Sequence, residues 1–237
     1  MKIHLISYGD HNYVNQKVIL KKTAVNSLFF NSVSIFSLAD LGQSFLKVFH
    51  NVIFQQKGGG FWIWKPYLIK AIYDELSSED VLVYCDAGCI INNLGKKRFD
   101  DYIDMIADSE TGTLAFELPH KEIEYTKREV FDYFKSGQEM LDSNQLMATI
   151  VLFRKTKHAT EIINQWYNVL YDDPLLFTDE MDRKNQDDTF IDHRHDQSIL
   201  SVIRKIHGAE IIADETYFTN FNVEGTAFPF WAARLRG

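Results

Sequence analysis

Three stretches of this sequence gather side chains that can handle charge and hydroxyl groups. Asp86 directly follows the apolar run Val81–Cys85 and precedes Ala87-Gly88. A β-branched apolar run of this kind reads as a buried strand, and an Asp at its carboxyl end is aimed into a ligand crevice. A carboxylate there accepts a ribose hydroxyl or takes a hard divalent cation. An Asp followed by Gly also makes an ordinary turn. The second stretch is Gly58-Gly59-Gly60, followed by Phe61-Trp62-Ile63-Trp64-Lys65-Pro66. Three glycines permit close backbone approach to a ligand or a sharp turn. Lys65, at a helix start marked by Pro66, can meet a phosphate beside free N–H groups. The order is not that of a P-loop, which ends in Gly-Lys-Ser/Thr. The third is His193-Arg194-His195-Asp196-Gln197, just before a helix. Asp196 reads as an N-cap or as a site carboxylate. The two imidazoles read as metal ligands, as diphosphate donors, or as neither. Fainter signals are Tyr125-Thr126-Lys127-Arg128 and Gln145, which hydrogen-bonds a sugar or closes a turn.

The elements that must position these residues alternate. Strands are expected at Lys2–Tyr8, Val33–Ser37 and Asp80–Cys85, with helices at Asn15–Phe30, Leu41–Val52 and Tyr67–Leu76 between them. Such alternation argues for an α/β fold with a mostly parallel sheet, which binds ligands at the carboxyl ends of its strands. Ser7-Tyr8-Gly9-Asp10 and Asp86-Ala87-Gly88 both stand at such ends. Further on, strands are expected at Thr113–Leu118, Ala148–Arg154 and Glu210–Ala213, helices at Lys157–Tyr171 and Asp196–Ile206, and a long surface loop at Asp172–Asp192.

The 237 residues are 46% hydrophobic and 24% charged, an ordinary globular composition with no linker, so a single domain is expected. The net charge of −8 and the lack of a Lys/Arg-dense stretch argue against nucleic acid as partner. Cys85 and Cys89 are poorly placed to bridge and read as reduced thiols of a cytosolic protein. No transmembrane segment is expected, so any membrane contact is peripheral.

Gly60-x-Trp62-x-Trp64-Lys65-Pro66, Tyr84-x-Asp86-Ala87-Gly88, Thr126-Lys127-Arg128 and His193-Arg194-His195-Asp196-Gln197-Ser198 occur in that order between about residues 58 and 205. Together they resemble small bacterial and viral glycosyltransferases of the GT-A fold, the enzymes that build capsular, lipopolysaccharide or virion glycans. The resemblance implies a central, mostly parallel sheet flanked by helices, with residues 1–237 forming one such domain, alone or cut from a longer enzyme. It implies transfer of a sugar from a nucleotide-diphosphate sugar, a UDP-sugar first, to an oligosaccharide or glycan acceptor. Ser7, Tyr8, Asp10 and Tyr13 then hold base and ribose, and Trp62, Lys65, Asp86, Ala87, Gly88 and Arg194 complete the donor site. Asp86 matches the first acid of an Asp-x-Asp motif, and Gly88 stands where the second acid is expected. The charge on the departing diphosphate is implied to meet either a divalent cation, Mn²⁺ or Mg²⁺, with Asp86, His193 and His195 as its ligands, or Lys, Arg and His side chains, with Lys65 or Arg194 assisting. Asp196 and Gln197 are implied to face the donor sugar, a pairing closer to retaining than to inverting families, with Glu117 as the alternative base. The implied location is the cytoplasm, that of the host for a viral protein.

Three other readings compete. A dehydrogenase lacks support because Ser7-Tyr8-Gly9-Asp10 replaces Gly-x-Gly-x-x-Gly. A nucleotidyltransferase calls for more metal-binding carboxylates. A non-catalytic nucleotide-sugar- or carbohydrate-binding protein of the same fold is compatible with Gly88.

Overall fold

A computed structural model describes residues 1–235. Arg236 and Gly237 lie outside the described residues. Seven strands form one sheet: β1 (Ile3–Tyr8), β2 (Ser32–Phe36), β3 (Val81–Cys85), then β5 (Thr113–Lys121), β6 (Asn144–Leu146), β7 (Ile150–Arg154) and β8 (Glu210–Ala213). A separate two-stranded ladder pairs β4 (Ile90–Ile91) with β9 (Phe230–Trp231). The order across the sheet is β2-β1-β3-β7-β5-β6, with β8 along the other edge of β5. β1 is parallel to β2 and β3, β7 is antiparallel to β3 and β5, β6 is antiparallel to β5, and β8 is parallel to β5. Five of the seven strands therefore point the same way, and the sheet is mostly parallel.

The centre of the sheet explains the composition of its strands. Every residue of β3 is fully buried, because helices cover both faces. Leu82 and Tyr84 point to one face, where Leu68, Ile69, Ile162, Trp166, Ile199 and Ile203 pack. Val81, Val83 and Cys85 point to the other, against Leu20, Phe99, Tyr102 and Ile106. Each such aliphatic side chain contributes roughly 1.5–3 kcal/mol by leaving water. The helices involved are Trp64–Glu75, Lys157–Asp172 and Asp196–His207 on the first face, and Val14–Ser27 and Lys96–Asp108 on the second. Thr156 caps Lys157–Asp172 by accepting from the Ala159 N–H at 3.1 Å.

Three sequence expectations need correction. The helix expected over Leu41–Val52 is two short ones, Gln43–Val48 and His50–Ile53, broken at Phe49. The segment Asp172–Asp192 is not only surface loop: Leu176 and Phe177, in the turn Pro174–Phe177, are buried in the first core. An apolar Leu-Leu-Phe run gains more from the core than from solvent. The strand expected from Ala148 begins at Ile150 instead, and Ala148 and Thr149 bend into the functional cleft.

Candidate active site

A cleft of about 490 Å³ opens where β1 and β3 end. Its first bank comes from the end of β1 and the glycine turn. Tyr8 stacks on Trp64 with ring centroids 3.9 Å apart, and burial first, then Asp10 and Asp40, push its phenol up to about 12. Asp10 caps the following turn by accepting from the Asn12 N–H at 2.8 Å, and Tyr13 lies on the rim. Ser7 does not reach the cleft; it is wholly buried and its Oγ has no partner among the described residues.

The glycine turn is left-handed throughout. Gly58, Gly59, Gly60, Phe61 and Trp62 have φ of 60°, 56°, 92°, 54° and 58°. L-residues resist this conformation, so glycine occupies the tightest places. A Cβ on Gly60 would stand 2.5 Å from Ile53 Cα, and one on Gly58 would strike the Trp62 ring. The turn brings Trp62 flat against His195, with centroids 5.3 Å apart, and lets Trp64 Nε1–H donate to Gly58 O at 3.2 Å.

Lys65 starts the next helix and crosses the floor of the cleft. Its Nζ lies 3.1 Å from Asp86 Oδ1 and 2.7 Å from Asp196 Oδ2, and donates to Ala148 O at 3.3 Å. Burial pulls this ammonium down, but Asp196 and Asp86 outweigh it and hold it above the usual lysine range. Asp196 moves the other way from an ordinary ion-paired carboxyl. Burial pushes it up to about 6, Lys65 pulls it down, and the Asp86 carboxylate adds to the rise. Asp86 Oδ1 also accepts from Tyr84 OH at 2.6 Å. The backbone of Ala148 and Thr149 joins these groups: Ala148 N–H donates to Gln197 Oε1 at 3.2 Å, and Thr149 O accepts from Asp86 N–H at 2.9 Å. This use of both Ala148 backbone groups accounts for the late start of β7.

The second bank is the His193–Gln197 loop, held by buried hydrogen bonds. His193 Nε2 donates to Leu176 O at 2.8 Å while its Nδ1 accepts from the Lys127 N–H at 3.4 Å. His195, at φ 52°, donates through Nδ1 to Phe177 O at 2.9 Å, and its Nε2 lies 3.6 Å from Asp179 Oδ1. Lys127 ties down the carbonyls on either side of the two these rings use: its Nζ donates to Leu175 O, Thr178 O and Glu180 O at 2.7, 3.0 and 2.7 Å. Burial draws that ammonium down to about 8. Gln197 Nε2 donates to Gln145 Oε1 at 2.8 Å, and Gln145 in turn reaches Thr126 Oγ1 and Ser198 Oγ. Beneath them lies buried Glu122, which accepts from Thr126 Oγ1 at 2.6 Å, from Lys205 Nζ at 2.7 Å and from Ser201 Oγ.

The cleft thus brings together Tyr8, Asp10, Tyr13, Trp62, Lys65, Asp86, Ala87, Gly88, His193, Arg194, His195, Asp196 and Gln197. Ser7 and Glu117 lie outside it. Glu117 is exposed, and the strand alternation turns it away from Leu118, which does line the cleft. Lys57 and Arg234 are lining residues that the sequence reading misses. Nothing local marks Arg234; it arrives because β9 pairs with β4 and carries the chain back across β3. There Leu235 N–H donates to Gly88 O at 3.1 Å, and a Cβ on Gly88 would stand 3.1 Å from Leu235 O.

The whole architecture has counterparts among solved structures. A glycosyltransferase involved in the glycosylation of the major capsid of PBCV-1 superposes with a TM-score of 0.54 at 10% identity, over 98% of this chain and 92% of that one. Mouse xyloside xylosyltransferase 1 does so with a TM-score of 0.50 at 10% identity, over 98% and 97%. The fold is that of the GT-A glycosyltransferases. No protein-family model matches the chain, and no curated protein matches it in sequence.

A GT-A site with a divalent cation needs several hard donors converging on one point. The residues of this cleft do not fit that need. The Asp86 and Asp196 carboxylates both lie against the Lys65 ammonium. Both His193 nitrogens are engaged, His195 uses one nitrogen on a carbonyl, and Gly88 offers no donor. Among the described residues no three His, Cys, Asp or Glu side chains group to hold a metal ion. The ligand set Asp86, His193 and His195 expected from the sequence is therefore corrected: the histidines serve the loop that carries them.

Proposed function

We propose that this protein is a glycosyltransferase that moves a sugar from a nucleotide-diphosphate sugar, a UDP-sugar first, to a hydroxyl of a glycan acceptor with retention. The observation that carries the reading is the Asp86–Lys65–Asp196 cluster at the carboxyl end of β3, the ligand-binding edge of an open α/β sheet. Tyr8, Asp10 and Tyr13 suit base and ribose, because they offer a flat aromatic surface and a carboxylate at the neighbouring strand end. Asp196 and Gln197 stand deeper and suit the donor sugar.

In the reaction the C1–O bond to the diphosphate breaks and its electron pair leaves with phosphate. The acceptor oxygen bonds to C1, and the acceptor proton passes to a departing phosphate oxygen. The transition state is oxocarbenium-like at C1 and gathers negative charge on the diphosphate. A buried carboxylate near C1 stabilises the first charge, and fixed cations stabilise the second. Inversion requires a free base beside the acceptor. Asp86 and Asp196 share one lysine, Glu117 is outside the cleft, and Asp10 accepts from the Asn12 N–H at the rim, which leaves Asp192 as the carboxylate an inverting enzyme would have to use; the paired state of the central acids favours retention. The two free, buried thiols Cys85 and Cys89 suit a reducing compartment, so we assign the reaction to the cytoplasm. No helix among the described residues is long and apolar enough to cross a membrane.

A thermal-shift screen of nucleotide sugars tests the proposal, since a bound donor raises the melting temperature by mass action. We expect one nucleotide diphosphate class to stabilise the fold and its sugar to be transferred or hydrolysed, with Asp86→Asn abolishing turnover. Undiminished transfer by Asp86→Asn would overturn the site.

A further inference from the structure

Glycosyl transfer leaves charge on a diphosphate, and something positive must meet it. The usual requirement for a cation at an Asp-x-Asp motif is not met by these residues, as shown above. The place of the second acid is also crowded. A Cβ on Gly88 would lie 3.1 Å from Leu235 O, 3.2 Å from Leu235 N and 3.5 Å from Arg234 C. The chain therefore crowds the first side-chain atom that a residue other than glycine would place here, and it carries an arginine into the cleft as it passes.

Arg234 has company. Arg194, in the 193–197 loop, also lines the cleft. Each guanidinium rests on a tyrosine face: Arg194 lies 4.2 Å from the Tyr125 centroid, and Arg234 lies 5.3 Å from that of Tyr217. Stacking fixes the plane of a guanidinium and leaves its N–H edge open, the edge that fits phosphate with two parallel bonds. Neither arginine makes an ion pair among the described residues, whereas Lys65 lies against two carboxylates and Lys57 faces Asp179. The two charges also face common space. Burial lowers His120, and Arg194 and Arg234 both lower it further; Arg194 is itself lowered by burial and in part by Arg234. Two guanidinium groups that line one cleft, each stacked on a tyrosine and outside any ion pair among the described residues, suit an anionic ligand. The balance of the cleft agrees, with four cationic side chains against four carboxylates in a chain of net charge −8.

We propose that Arg234 and Arg194 form a guanidinium clamp for the donor diphosphate, which makes nucleotide binding and sugar transfer independent of a divalent cation. The clamp holds the β-phosphate oxygens, stabilises the electron pair that arrives from the C1–O bond, and keeps the diphosphate in place to receive the acceptor proton. This inference rests on the nucleotide-sugar reading above.

The probe is UDP, titrated calorimetrically into the full chain in excess chelator, in Mn²⁺ and in Mg²⁺, with uridine alongside. Affinity for UDP should agree within about twofold in all three conditions. Arg234→Gln should weaken UDP about tenfold or more, the loss of one charge-assisted bidentate contact. It should leave uridine binding unchanged, and Arg234→Lys should recover part of the loss. Arg234 is exposed, so these variants should melt with the parent protein. Arg194→Gln should weaken UDP similarly, with its melting curve as the control for the loop that carries it. UDP binding that disappears in chelator and returns with Mn²⁺ would overturn the clamp while sustaining the nucleotide-sugar reading. Parental UDP affinity in Arg234→Gln would do the same. Failure of UDP, GDP, ADP and CDP to bind in every condition would overturn both.

Discussion

The two banks of the cleft are rigid for opposite reasons. The glycine turn at 58–62 is fixed by backbone sterics: five consecutive residues of positive φ, with Gly58 and Gly60 at the places that admit no side chain. The loop at 193–197 is fixed by partners, because His193, His195 and Gln197 each meet a buried donor or acceptor from another part of the chain. A bank made by conformation depends on the residues within it. A bank made by partners depends on Lys127, Gln145, Glu122 and the carbonyls of residues 175–180. Lys65 spans the two and belongs to both.

The largest effect should come from cutting that link. Lys65→Met leaves Asp86 and Asp196 without their shared counter-charge, and removing one partner of a buried ion pair typically costs about 3–5 kcal/mol. Urea denaturation measures it; a loss below about 1 kcal/mol would mean that the banks are held without the lysine. Next comes the conformational bank alone. Gly60→Ala places a methyl against the Ile53 backbone at φ 92° and should cost about 2–4 kcal/mol. Gly137→Ala, where a Cβ meets nothing within 4 Å, should change stability by less than about 0.5 kcal/mol. Equal effects at the two positions would remove the steric account.

The partnered bank should yield to Lys127→Met. Three carbonyls lose their donor, at a cost of about 2–3 kcal/mol, and the loop under His193 and His195 loosens. Nucleotide affinity should fall with it, whereas Gly137→Ala leaves affinity unchanged. Acid gives the smallest and most selective perturbation. Burial and the Lys57 ammonium draw His195 down to about 4; burial, His195 and Lys127 draw His193 well below the usual range. Unfolded, both titrate near about 6.5. Below that pH the unfolded chain binds more protons, so stability present above it is lost as pH falls toward 4. His195 alone removes about 2 kcal/mol between pH 7 and pH 5. Asp196, raised to about 6, works against this, because its folded form takes up the proton first. It returns about 1 kcal/mol over the same interval, which leaves a net loss once His193 is added. Melting temperature against pH should show that loss, and His195→Asn should flatten it.

The same contrast governs what the sequence reveals. Elements set by local pattern are legible: the β-branched run of β3, the Thr156 cap, and Gly58-Gly59-Gly60 with Pro66 as a break before a helix. Phe99, Tyr102, Ile103 and Ile106 carry equally clear helical spacing in Lys96–Asp108, a helix the motif-led reading passes over. The site residues of both banks are legible as clusters, but their partners are not. Nothing local tells that His193 answers to Leu176, that Lys127 is buried on three carbonyls, or that β9 returns Arg234 across Gly88. The Asp172–Asp192 segment misleads for the same reason: its acidic composition suggests solvent, while Leu176 and Phe177 are anchored in the core. Glu117 looks available at a strand end, yet the pleat turns it outward.

The left-handed turn has one more consequence. At Gly59 the backbone is the mirror image of an ordinary helical residue, so the residue that suits it is one of opposite chirality. Gly59, at φ 56° and ψ 49°, sits at the centre of the region that a D-amino acid prefers. A semisynthetic protein with D-alanine at 59 should gain about 0.5 kcal/mol by restricting the unfolded chain, and its L-alanine counterpart should lose stability. Handedness, rather than the absence of a side chain, is then the property that glycine supplies at this position.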